Sequence, residues 1–216
     1  MSGRENLLPN NRVLRYDFRE RMIHWTAGVT YVYLLLTGLA FWSPWLFWIA
    51  TVLGGGSVSR MLHPWLGLVF TFAVVLMYGK WAPEMKSAPG DKAWWDAMSF
   101  YITNEDEKVP PAGRFNGGQK FLFWSFFWCG IILLLSGIVL WYPQQFPQGL
   151  RLAAIFLHPV FALATIGLFM LHVYMGTAYE RGAFGSVIRG DVSREFAMRH
   201  HRTWFEDILR QASAKR

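Results

Sequence analysis

The sequence predicts an all-α integral membrane protein, a four-helix bundle with both termini cytoplasmic. Three observations carry that prediction. Four apolar runs, at about 22–43, 60–81, 120–142 and 152–179, are each long enough to cross a bilayer. Nineteen of the 21 Lys and Arg residues fall in the N-terminal tail, the 80–120 loop and the C-terminal tail. Four crossings put those segments in one compartment, and the basic excess marks it as the cytoplasm. Finally, 18 Phe, 12 Trp and 8 Tyr exceed what a soluble core needs and suit two interfacial belts.

The charge distribution disposes of one competing class. A net charge of +7 invites a nucleic-acid reading, but here topology partitions the basic residues, so the expected partner is the lipid bilayer and not nucleic acid. Cys129 is the single cysteine and lies within the third run. It excludes a disulfide framework, a CxxCH haem attachment and a cysteine-ligated iron–sulfur cluster. A buried bystander is expected there.

In chain order, residues 1–21 are polar and carry Arg4, Arg12, Arg15, Arg19 and Arg21. They lack an apolar signal core and a small-residue cleavage site, which reads as a retained, non-translocated segment. The first run, Met22–Trp42, has His24 near its start and is closed by Pro44. PWLFWIATVLGGGSV at 44–58 is apolar but too short to span, as an interfacial or re-entrant segment would be. The second run opens with His63 and Pro64, where proline fits a first helical turn. The 82–119 loop holds Glu105, Asp106 and Glu107, then PPAGRFNGGQK leads into the third run. Pro143 and Pro147 mark a tight connection to the fourth. The basic tail from Glu180 is expected to form an amphipathic helix around Glu195–Leu209. Residues 1–216 thus read as a single membrane domain. LHP occurs twice, at Leu62–Pro64 and Leu157–Pro159, without an obvious tandem repeat.

Histidines are the chemistry-bearing residues. Leu152–Tyr179 is 28 residues without Asp, Glu, Lys or Arg, yet carries His158 and His172. Their spacing puts them within roughly 40° of each other and about 21 Å apart along a helix. Topology gives each histidine a depth, pairing His63 with His158 at the outer level and His24 with His172 at the inner one. No acidic residue lies within the spans to partner them. Two imidazoles at one depth on facing helices are what a six-coordinate haem iron requires. The expectation is therefore two haem b groups with axial pairs His63/His158 and His24/His172. A zinc site would want three or four converging ligands, and a proton relay would normally include a carboxylate. Met61, Met170 and Met175 would ligate only by leaving a histidine unexplained. The alternative from another class is a haem-free anchor or ion-conducting bundle whose histidines are internal hydrogen-bond partners. Gly28, Gly67 and Gly167 would let a flat macrocycle approach the helices. His200 and His201 remain in the tail.

Several motifs occur together in order: R-x-x-HW at Arg21–Trp25, R-x-LHP at Arg60–Pro64, GRFNGGQK at Gly113–Lys120 and LSG at Leu135–Gly137. With the two histidines of the fourth run, the chain resembles the gamma, cytochrome b-type subunit of respiratory formate dehydrogenases from about residue 12 to 205. Related subunits of nickel–iron hydrogenases and thiosulfate reductases share the four-helix, two-haem plan. The resemblance implies that His63 and His158 ligate the outer haem and His24 and His172 the inner. It also implies a quinone site beside the inner haem, with Asn116 and Gly118 and a contribution from His172. Gly117 stands where an aromatic is familiar in the family, which alters the pocket wall. Read without the family, FNGG is a plain turn before a helix. The implied role is a non-catalytic electron-transfer subunit in a bacterial inner membrane. It would take electrons from a periplasmic iron–sulfur subunit and reduce a quinone, menaquinone or ubiquinone, near the cytoplasmic face. Formate chemistry would reside in a separate catalytic subunit, and the complex could assemble further. A nickel–iron hydrogenase or another respiratory oxidoreductase is the alternative partner.

Overall fold

The structure, a computed structural model, describes residues 6–103 and 105–214, apart from the side chain of Asp106. Arg4, Lys215 and Arg216 of the basic tails lie outside the described residues. The chain begins with strands β1 (Leu7–Leu8) and β2 (Arg12–Leu14), then helix α1 (Phe18–Trp42). Next come α2 (Phe47–Val52), α3 (Gly56–Trp81), α4 (Pro89–Asp96), α5 (Met98–Ile102), α6 (Gly117–Trp141) and α7 (Gln148–Tyr174). A π turn, Met175–Tyr179, extends α7 and is followed by α8 (Ala183–Ile188), β3 (Asp191–Ser193), α9 (Arg194–His200) and α10 (Arg202–Ser213). α1, α3, α6 and α7 with its extension are long and apolar enough to cross a membrane. The chain divides into two compact units.

One unit, Met22–Gly79 with Trp124–Leu171, holds most of the four long helices. Its side chains are arranged inside out relative to a soluble core. Buried positions are small or hydroxylic: Ala27, Thr30, Thr37, Ala40, Ser59, Ala73, Ser136, Ala154 and Thr165. Large apolar side chains such as Val29, Phe72 and Phe156 are instead exposed, as lipid contact requires. Tyr31 is the large exception. Its ring centre lies 4.9 Å from that of Phe169, 5.9 Å from Phe70 and 6.3 Å from Phe126, so it touches the other three long helices. Its hydroxyl donates to Thr165 Oγ1 at 3.2 Å.

Each long helix starts three or four residues before its apolar run. α3 therefore begins at Gly56, and Pro64 lies inside the helix rather than in its first turn. Pro159 is likewise internal to α7. Residues 44–58 form a one-turn 3-10 helix at Pro44–Leu46, then α2 and a sharp reversal. Gly54 and Gly55 make that reversal at φ 98° and 97°, in the left-handed region that favours glycine.

The second unit combines the N-terminal residues through Arg21 with Lys80–Phe123 and His172 onward. It holds a small three-stranded antiparallel sheet that the all-α expectation did not include. Asn10 and Asn11, both at φ 57°, turn β1 into β2, and Val13 pairs with Val192 of β3. Arg12 bonds Asp191 across that pair. Val13, Val192, Phe196, Ala197, Phe205 and Ile208 form the apolar core beneath it. The expected tail helix is two helices, α9 and α10, broken at the fully buried His201. Its Nδ1 lies 2.8 Å from the Gly113 carbonyl, which ties the tail to the 82–119 loop.

Capping boxes start two of the long helices. Asp17 Oδ1 accepts from the Glu20 amide and Glu20 Oε2 from the Asp17 amide, each at 2.8 Å. At α6, Asn116 Oδ1 accepts from Gln119 N at 2.9 Å and Gln119 Oε1 from Asn116 N at 3.2 Å.

Candidate functional site

Within the first unit, His63 of α3 and His158 of α7 face each other with ring centres 6.3 Å apart and planes inclined at 58°. Each ring is held by a hydroxyl on a different helix. Thr37 Oγ1 of α1 lies 2.7 Å from His63 Nδ1, and Ser136 Oγ of α6 lies 2.9 Å from His158 Nδ1. A glycine follows each hydroxyl, and Gly137 makes room for the His158 ring. A Cβ on Gly137 would sit 3.3 Å from His158 Cε1, and one on Gly38 would sit 3.9 Å from His63 Cε1. Phe41 meets the His63 ring edge-on at 5.6 Å. The pair presents two neutral nitrogen donors to one small volume, an arrangement suited to gripping a metal from opposite sides.

His24 lies in α1 with its ring 5.9 Å from that of Trp25, edge to face. His172 lies near the end of α7, exposed on an otherwise apolar stretch and three residues before the π turn. An ionisable side chain in such a segment is costly in lipid and points to function. Among the described residues, no group of three His, Cys, Asp or Glu converges as a protein-only metal site would need. Cys129 is a half-buried free thiol.

Asn116 is 4 % exposed, and its Oδ1 serves the α6 cap. The glycines that follow are explained by tryptophan. A Cβ on Gly117 would meet Trp94 Cε3 at 2.8 Å and Trp95 Nε1 at 3.1 Å, and one on Gly118 would meet Trp94 Cη2 at 3.0 Å. The aromatic surface over the start of α6 thus comes from α4. Asn116 also lines a small, partly open cleft with Trp94, Tyr101, Val109, Pro110, Arg199 and His200. Its enclosed space is about 10 Å³, room for roughly one water and well short of a quinone ring. Gly118 and His172 are not among its lining residues. Beside it, the Tyr101 hydroxyl donates to the buried carboxylate of Glu180.

Thr37 was not singled out by motif, and Ser136 stood within LSG without an assigned role. Their signal is an internal similarity, LLLTGLAFW at 34–42 against LLLSGIVLW at 133–141. It accompanies the two LHP motifs that carry His63 and His158.

Comparison with known proteins places these features in context. The chain is 29% identical over 211 residues to the cytochrome b556(Fdn) subunit of the nitrate-inducible formate dehydrogenase of Escherichia coli K12, covering 94% of each chain. It is 27% identical to the cytochrome b556(fdo) subunit of formate dehydrogenase from the same organism, covering 94% of this chain and 96% of the relative. The formate dehydrogenase cytochrome b556 subunit of Haemophilus influenzae is 26% identical, with 95% and 91% covered. The sequence model of one family, prokaryotic cytochrome b561, matches residues 15–190. The chain therefore belongs to the prokaryotic cytochrome b561 family, as a haem b-binding, electron-transferring multi-pass protein of the bacterial inner membrane.

Proposed function

We propose that this protein is the membrane subunit of a formate dehydrogenase complex. It passes electrons from a periplasmic iron–sulfur partner to a quinone, menaquinone or ubiquinone, near the cytoplasmic face. Support for the partner comes from the relatives, each named as a cytochrome b subunit of formate dehydrogenase and matched over nearly its full length.

The observation that carries the reading is the 6.3 Å separation of the His63 and His158 ring centres. Two imidazoles, each bound through one nitrogen about 2 Å from a shared metal, hold their ring centres roughly 6 Å apart. An added Cβ at Gly28, Gly67 or Gly167 would meet nothing within 4 Å, so these glycines leave room beside three helices for a flat ring system. In this reading His63 and His158 hold one haem b, and His24 and His172 hold a second, in a single di-haem membrane domain. Haem b bound at these two levels supplies one-electron carriage across the bilayer.

The protein's own residues supply the setting. Neutral imidazoles bind without adding charge to the membrane interior. Tyr31, packed on Phe70, Phe126 and Phe169, fills the bundle and excludes water. Asn116 offers an amide, and Gly118 its backbone, to a quinone oxygen. The N-terminal segment, the 82–119 loop and the C-terminal segment belong to one unit, which supports their sharing a compartment. Nineteen of 21 basic residues support that compartment being the cytoplasm. Moving one charge across the membrane is worth about 2.3 kcal/mol per 100 mV, so a two-electron transfer stores about twice that.

An absorption spectrum of the purified chain with a pyridine haemochrome count tests the reading. Two b-type haems per chain are expected. A colourless, folded preparation would instead identify a haem-free anchor.

A further inference from the structure

The hydroxyls of Thr37 and Ser136 do more than pack. Thr37 is 0 % exposed and Ser136 6 %, so neither is available to water. Thr37 Oγ1 lies 2.8 Å from the Tyr33 carbonyl and is placed to donate to it. Ser136 Oγ does the same to Ile132, at 2.6 Å. Each hydroxyl has one proton. With that proton on the carbonyl one helical turn back, the oxygen faces the imidazole as an acceptor, 2.7 Å from His63 Nδ1 and 2.9 Å from His158 Nδ1. Each Nδ1 then carries the hydrogen, and each Nε2 keeps its lone pair.

We infer that Thr37 and Ser136 are positioning residues. They fix both imidazoles in the Nδ1–H form, point the bare Nε2 atoms at a shared iron and set its redox potential. The inference rests on the proposed ligation by His63 and His158, and deepens it. A hydrogen bond accepted from Nδ1–H makes an imidazole more basic and a better donor to the metal. A more basic ligand favours the oxidised iron, so removing the acceptor raises the potential. The device occurs twice, as Thr37-Gly38 for His63 and Ser136-Gly137 for His158. Gly137 admits the edge of the His158 ring, and Gly38 lies in van der Waals reach of the His63 ring.

The test is a redox titration of the full chain in detergent, following each haem optically and by electron paramagnetic resonance. Thr37→Val and Ser136→Ala remove the hydroxyl with little change of shape, whereas Thr37→Ser keeps it. Each of the first two is expected to raise one haem transition, the same in both, by about tenfold in the redox equilibrium, or ~59 mV for one electron. The other transition stays at its wild-type value, and Thr37→Ser titrates as wild type. Unchanged potentials in both Thr37→Val and Ser136→Ala, with haem retained, would overturn the inference. So would shifts in two different haems. If Thr37→Val fails to fold, Ser136→Ala carries the test: a raised potential in one haem supports the inference, and unchanged potentials with haem retained overturn it. A wild-type chain that binds no haem would instead overturn the underlying function, which separates the two failures.

Discussion

Arg114 donates from Nη2 to both carboxylate oxygens of Glu20, at 2.8 and 2.9 Å, and Glu20 is only 4 % exposed. Trp81 Nε1 adds a third bond to the same carboxylate at 2.8 Å, while Arg114 Nη1 reaches Glu84 at 3.0 Å. The pair joins the start of α1 to the loop before α6, and Glu20 is also half of the α1 capping box.

Removing one member should therefore cost more than removing both. Arg114→Met leaves the Glu20 carboxylate buried with its main partner gone, an expected loss of about 3 kcal/mol. Adding Glu20→Gln should recover part of it. Thermal unfolding of the purified protein in detergent checks this. A double-variant loss equal to the sum of the Arg114→Met and Glu20→Gln losses would mean that the pair contributes no coupling.

His201 makes a second testable feature. It is fully buried against Phe196 and Trp204, and burial pushes its pKa well below 6.5, helped by the nearby Arg15 guanidinium and by His200. Its Nε2 has no hydrogen-bond partner among the described residues. A folded-state pKa below the unfolded value means that the unfolded chain binds the proton first. The stability His201 contributes is thus present above about pH 6.5 and is lost as pH falls below it. His201→Asn keeps a donor for the Gly113 carbonyl but does not titrate. Between pH 7 and 5 its unfolding temperature should fall less steeply than that of the wild type. Parallel profiles would remove His201 from the acid response.

For the quinone, Asn116 has to be separated from its capping role. Asn116→Leu should keep both haems and their reduction by the partner. It should slow reoxidation by a soluble quinone analogue about tenfold to a hundredfold, matching a lost hydrogen bond of roughly 1.5–3 kcal/mol. It also loses the helix cap, at about 1 kcal/mol of stability. Asn116→Asp retains the cap acceptor and loses the amide donor. Slow reoxidation in both variants, read by stopped flow, supports quinone contact. Wild-type rates in Asn116→Asp would leave Asn116 as a cap alone.

Topology gives a simple prediction. Alkaline phosphatase fused after Arg216 should be inactive, because nineteen of 21 basic residues mark that side as cytoplasmic. Efficient export of the fused enzyme would overturn the depth assigned to every histidine.

The four long helices were legible because apolar runs of this length have few other uses. Their starts were displaced by about one turn, since hydropathy ignores the polar residues that open a helix. Asp17-x-x-Glu20 and Asn116-x-x-Gln119 carried that missing signal as capping boxes. The sheet was not legible. Its strands are two or three residues long, and Arg12 and Asp191 are 179 residues apart in sequence. At the candidate site the histidines stood out as ionisable residues in apolar helices. The roles of Thr37 and of Ser136 within LSG did not, because buried hydroxyls in membrane helices commonly bond only their own backbone. Their second partners depend on how the helices pack.

The central claim is that four histidines act as two pairs. Redox titration of single alanine variants tests it most directly. His63→Ala and His158→Ala should abolish the same one of two haem transitions, and His24→Ala and His172→Ala the other. Loss in His63→Ala of the transition that is also lost in His172→Ala would contradict the account.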